Sequence, residues 1–64
     1  MDLEVGDKVS LIIEAETHLG FSVLIDEEFE GLLYRNEVFQ ELRENQRIAG
    51  YIKNIREDGK IDVS

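Results

Sequence analysis

Two apolar-patterned runs meet across Asp58-Gly59 near the end of this chain, within Gly50-Tyr-Ile-Lys-Asn-Ile-Arg-Glu-Asp-Gly-Lys-Ile-Asp-Val-Ser64. An Asp-Gly pair supplies the positive φ angles of a tight hairpin turn. Ile52 and Ile55 on one side and Ile61 and Val63 on the other therefore read as antiparallel strands. The chain has 64 residues and no cysteine. A domain of that size buries only about 60% of the surface its unfolded chain exposes, which commits nearly every Val, Leu, Ile and Phe to one core. Neither a disulfide nor a thiolate metal site supplements that core.

Upstream of the hairpin the same two-residue period recurs. In Lys8 to Glu16, Val9, Leu11, Ile13 and Ala15 alternate with mostly polar neighbours, the pattern of a half-buried strand, and only Ile12 breaks it. Thr17-His18-Leu19-Gly20 reads as a turn into a second strand whose inward set is Phe21, Val23 and Ile25, with Leu24 outward. The acidic tip Asp26-Glu27-Glu28 leads to a third strand, Phe29 to Tyr34, with Leu32 inward. Asn36 is placed to cap a helical turn from Glu37 to Arg43, with Val38, Phe39 and Leu42 as its apolar side. The fourth strand, Arg47 to Arg56, presents Ile48, Gly50, Ile52 and Ile55 inward, and the three-residue step before Ile55 implies a bulge. Ile61 belongs to the inward set of the fifth.

Five short strands with a helical turn between the third and fourth make an all-β chain of one domain, residues 1–64, and point to a five-stranded Greek-key β-barrel, the OB-fold. An SH3-like barrel is the alternative, since strand count alone does not fix strand order. Fifteen acids against seven bases give a net charge of −8, which repels polyphosphate that comes within the salt-screening length of about 8–10 Å and argues against nucleic acid on electrostatics alone. No apolar run approaches the ~20 residues that span a bilayer, and Met1-Asp2-Leu3-Glu4 lacks the basic region of a signal peptide. The expectation is a soluble domain with no membrane partner, compatible with the cytoplasm. With one His, no Cys, no glycine-rich phosphate loop and no Ser in a nucleophile context, no catalytic constellation can be assembled, so the chain is not expected to be an enzyme. No cofactor is expected either. His18 stands in a turn without a second ligand, and the acids from Asp26 to Glu30 lack calcium-loop spacing, so both read as solvated turn residues.

Four motifs then occur in register. Val5-Gly6-Asp7 precedes the first strand; Leu19-Gly20-Phe21-Ser22-Val23, Glu30-Gly31-Leu32-Leu33-Tyr34 and Gly59-Lys60-Ile61-Asp62-Val63-Ser64 follow. In order and spacing they resemble the S1-type RNA-binding domain, first seen repeated in a ribosomal protein. Gly50-Tyr51-Ile52 with Ile55-Arg56 and Asp58-Gly59-Lys60-Ile61-Asp62 is similar, more narrowly, to a domain of the conserved virulence factor B family of bacterial RNA-binding regulators. Those proteins string several such domains together, so the resemblance implies a module cut from a larger multidomain protein, monomeric and flanked by neighbouring domains of the same chain. It also implies single-stranded RNA as the partner.

Domains of that type stack bases on two aromatic residues flanking the first glycine of the second strand and on a histidine after the Gly-Leu pair. The matching positions are Leu19, Ser22 and Tyr34, so Tyr34 alone keeps a π face. Each stacked base contributes ~1–3 kcal/mol, and the loss of two platforms implies weak binding by the isolated domain. Tyr51, outward between Ala49 and Lys53, offers a second ring, and Lys53, Arg56 and Lys60 offer phosphate contacts on the terminal hairpin. Pairing of those bases with Asp58 or Asp62 across the hairpin would consume them. The alternative function is a structural spacer or protein-interaction barrel docking through Ile12, Leu19 and Leu24, favoured by the acidic balance and the missing aromatics.

Overall fold

The computed structural model describes residues 3–64. Strands β1 (Lys8–Glu16), β2 (Gly20–Ile25), β3 (Phe29–Tyr34), β4 (Arg47–Ile55) and β5 (Ile61–Val63) follow one another, with a 3₁₀ turn, Arg35–Glu37, between β3 and β4. They close into a barrel in the order β1-β2-β3-β5-β4. Closure depends on β1, which pairs with β4 through Lys8 to Ile12 and with β2 through Leu11 to Glu16. One long strand thus serves both sides of the barrel, and closure leaves no open edge among the described strands. The last strand lies between β3 and β4, parallel to the first of these and antiparallel to the second. That crossover is the Greek key of the OB-fold, and it sets aside the SH3-like alternative.

The core follows from parity. Val9, Leu11 and Ile13 of β1, Phe21, Val23 and Ile25 of β2, Ile52 of β4 and Ile61 of β5 are buried, as the alternation predicts. Phe21 is inside and Ser22 is on the other face, so the β2 register holds. Four expected inward positions, Ala15, Leu32, Ile48 and Ile55, differ from expectation. Ala15 is exposed because a register shift between Ile13 and Ala15 turns the end of β1 out of phase. Leu33, not Leu32, is buried: Phe21, Val23 and Ile25 lie opposite Leu33, Gly31 and Phe29, and directly opposed residues share a face. Ile48 and Ile55 are only partly buried and flank the core, whereas Val63 is fully inside. The expected bulge is present as a register shift between Ile52 and Asn54.

Two connections also differ. The final turn uses three loop residues rather than two. Arg56 donates its N–H to the carbonyl of Lys60, Gly59 donates back to Arg56, and only Gly59 has a positive φ, +89°. This is a turn closed by a left-handed glycine. The expected helical turn between the third and fourth strands is present, but it lies at Arg35–Glu37 and does not run from Glu37 to Arg43. A single 3₁₀ turn starts at Arg35 without a side-chain cap, and the chain leaves it in extended conformation at Val38. Val38 and Phe39 are weak helix formers, and one uncapped turn cannot meet the cost of nucleation. Val38 and Leu42 still pack against the core, while Phe39 is 90% exposed. No helix among the described residues is long and apolar enough to cross a membrane.

Candidate nucleic-acid interface

The outward parity of β2, β3 and β5 creates one continuous face. Ser22 lies opposite Leu32, Leu32 opposite Asp62, and Gly20 opposite Tyr34. The turn before β2 adds Leu19 at one side, and the terminal hairpin adds Arg56, Asp58 and Lys60 at the other. Between them runs an open groove of about 410 Å³. It contains five of the seven residues singled out in the sequence: Leu19, Ser22, Tyr34, Arg56 and Lys60. The close backbone packing at its upper end requires glycine. A Cβ on Gly20, at φ +153°, would stand 2.1 Å from the Leu33 carbonyl oxygen and 2.7 Å from the Arg35 nitrogen.

A buried carboxylate organises the groove. Asp62 is the one buried charged residue among the described residues, 7% exposed. Arg56 donates to it twice, from Nε to Oδ2 and from Nη2 to Oδ1, each at 3.1 Å, and Nη2 also donates to the Tyr34 hydroxyl. Asp62 thereby receives the paired donors that a buried carboxylate needs. The same contact raises the Arg56 pKa, by hydrogen bonding and then by charge, so the guanidinium is a permanent cation. Its Nη1 has no protein partner among the described residues. The Tyr34 ring is therefore tethered at its hydroxyl beside the guanidinium of Arg56, which also lines the groove.

The electrostatics of this face are close to neutral. Glu30, Asp58 and Asp62 stand against Arg56 and Lys60 among its lining residues. Arg56 is already compensated by Asp62, whereas Lys60 has no carboxylate partner within salt-bridge distance among the described residues. Such a surface favours π stacking and hydrogen bonding over capture of phosphate by charge.

Lys53 and Tyr51 do not line the groove. Lys53 forms an ion pair with Glu37 of the 3₁₀ turn at 2.5 Å, and that hydrogen bond, with the Glu37 charge behind it, raises its pKa. Tyr51 is 52% exposed on β4, opposite Lys8, and its backbone pairs with Ser64. Sequence reasoning passed over Leu32 and Glu30 as groove residues, because both became outward-facing only with the corrected β3 register. It named Asp62 as one pairing candidate without seeing its burial. The signal was present in the hairpin, where Asp62 sits diagonally across from Arg56 once Ile55 pairs with Ile61.

No protein-family profile matches the chain, and no curated protein matches it. Among solved structures it is similar to a multidomain protein with nucleic acid binding domains from Streptococcus pneumoniae, with a TM-score of 0.83 and 21% identity. The match covers 94% of this chain and 22% of that one, so this chain spans about a fifth of the other protein's length. At that identity the likeness is one of fold, and the fold it supports is the OB barrel.

Proposed function

We propose that this chain is an S1-like, single-stranded-RNA-binding module of a bacterial multidomain regulator, related to the conserved virulence factor B proteins and weak when isolated. The observation that carries the reading is the tethered Tyr34 ring in an open groove between Leu19, Leu32 and the terminal hairpin. A base stacks on Tyr34, the free Nη1 of Arg56 donates to a base, and Lys60 meets the backbone. The role is binding, without catalysis. Affinity accumulates when neighbouring modules engage the same strand, because the second contact is intramolecular. The match in fold to a protein with nucleic acid binding domains is consistent with this.

Amide chemical-shift mapping with a short single-stranded RNA tests it. Shifts at Leu19, Ser22, Tyr34, Arg56 and Lys60 are expected. No shift at about millimolar RNA would sink binding by the isolated domain. The spacer or protein-docking alternative draws its support from the net charge of −8 and from Leu19, 49% exposed. It predicts that silent titration.

A further inference from the structure

Tyr51 is an exposed ring that the groove leaves out, yet the sheet sets it in line with Tyr34. β3 and β5 run parallel with Leu33 beside Val63, so the next residues, Tyr34 and Ser64, are neighbours, and Tyr34 is still extended at φ −71°, ψ 146°. Ser64 and Tyr51 exchange both backbone hydrogen bonds, each at 3.0 Å. Tyr51 in turn lies opposite Lys8 of β1. Tyr34, Ser64, Tyr51 and Lys8 thus form one row across the sheet. Each is the chain neighbour of a buried residue, Leu33, Val63, Ile52 or Val9, and successive side chains of a strand alternate between faces, so the row belongs to the outer surface. Two strand spacings of ~4.8 Å put the Tyr34 and Tyr51 backbones ~10 Å apart. Only the small, exposed Ser64 stands between them in the row.

We infer that Tyr51 and Lys8 form a second station for the same RNA strand, where a further base stacks and a further phosphate is met once the strand leaves the groove at Tyr34. The inference rests on the groove reading proposed above. A separation of ~10 Å is about three times the ~3.4 Å rise of a stacked strand. Bases on both rings must therefore be splayed apart, which a single strand allows and a duplex does not. Charge leaves the path open. In a chain with fifteen acids, β4 carries none over its nine residues, and neither does Lys8–Ile12, the part of β1 that it pairs with. The acids at the margins are engaged: Glu37 with Lys53, Glu27 with Arg47, Asp26 with the Ser10 N–H and Asp7 with the Glu4 N–H. Lys8 has no ion-pair partner among the described residues. This seam is close to neutral, like the groove, so stacking on Tyr51 leads and Lys8 adds one phosphate contact.

The test titrates the isotope-labelled domain with single-stranded RNA of about eight nucleotides, within the ~4–16 that an OB barrel occupies. The amides of Tyr51 and Lys8 should shift together with those of the groove, and an RNA duplex of the same length should leave Tyr51 unshifted. Tyr51→Thr keeps a strand-forming residue and removes the π face. Followed at the groove amide of Ser22, it should lower the affinity about tenfold, and Tyr51→Phe should restore it. Two contacts, Lys60 and Lys8, give a slope of log affinity against log salt of about −1.4, which Lys8→Gln should reduce to about −0.7. An RNA too short to leave the groove keeps the Lys60 contact alone. Shifts confined to the groove, a groove affinity indifferent to Tyr51→Thr, or a Tyr51-dependent dimer in sedimentation would overturn the second station and leave the groove reading standing. Absence of every shift at about millimolar RNA would overturn both.

Discussion

The salt dependence of RNA binding separates the ion pairs seen in the barrel from the free bases read in the sequence. Three phosphate contacts from Lys53, Arg56 and Lys60 would give a slope of log affinity against log salt of about −2, at ~0.7 per contact on a single strand. In the structure Lys53 is held by Glu37 and Arg56 by Asp62, which leaves Lys60 as the uncompensated cation in the groove. One contact gives a slope of about −0.7, so raising salt from ~50 to ~200 mM should weaken binding only ~2.6-fold, against ~18-fold for three contacts. Fluorescence anisotropy with a short labelled RNA resolves that difference. Lys60→Ala should make the affinity nearly independent of salt. Tyr34→Ala should cost ~1–3 kcal/mol of binding and leave the slope unchanged, because stacking releases no counterions. A drop near eighteenfold in the parent domain would mean that the two ion pairs open to receive phosphate, and the account of the groove would fail.

Gly59→Val should lower stability by ~1–3 kcal/mol in urea melts, because a β-branched residue is forced to φ +89° although no atom lies within 4 Å of its Cβ. Gly20→Ala should cost more, about 3 kcal/mol or above, since its Cβ would overlap backbone atoms that cannot yield. Domains this small rarely hold more than ~3–5 kcal/mol, so the variant should be largely unfolded by circular dichroism, and native stability there would refute the β2–β3 geometry. Tyr34→Phe keeps the ring and removes the acceptor for Arg56, so its RNA affinity should lie between those of the parent and Tyr34→Ala in the same anisotropy assay. Glu37 raises the folded-state pKa of Lys53, so the pair's small contribution is complete below the unfolded pKa and is lost as pH climbs through the raised value. The stability gap between the parent and Lys53→Met should therefore be constant at neutral pH and close only in strong alkali.

The fold was legible because burial in a closed barrel imposes a period of two, and that period survives in the residues themselves. Phe21, Val23 and Ile25 state their face without help, and the missing residue of phase before Ile55 announces the bulge found between Ile52 and Asn54. Leu32 and Leu33 were not separable in that way. Both are apolar, and their faces are decided by the residues opposite them on β2, which is a matter of tertiary register rather than local pattern. The helical turn was legible but its bounds were misread for a related reason: Val38 and Leu42 are apolar because they cover the barrel, and covering it requires no helical hydrogen bonds. The site shows the same division. Residue types on the terminal hairpin were readable, but which bases are free depends on distances of a few ångströms to Asp62 and Glu37, and pairing removes from phosphate binding two of the three cations, Lys53, Arg56 and Lys60, that the hairpin offers. What remains in the groove is a tethered ring, one guanidinium edge and one lysine, and that set favours contacts with bases over contacts with backbone charge. In a chain of net charge −8, phosphate contacts work against a repulsion that is least screened within ~8–10 Å, whereas stacking and hydrogen bonds to bases do not depend on a net attraction of charge.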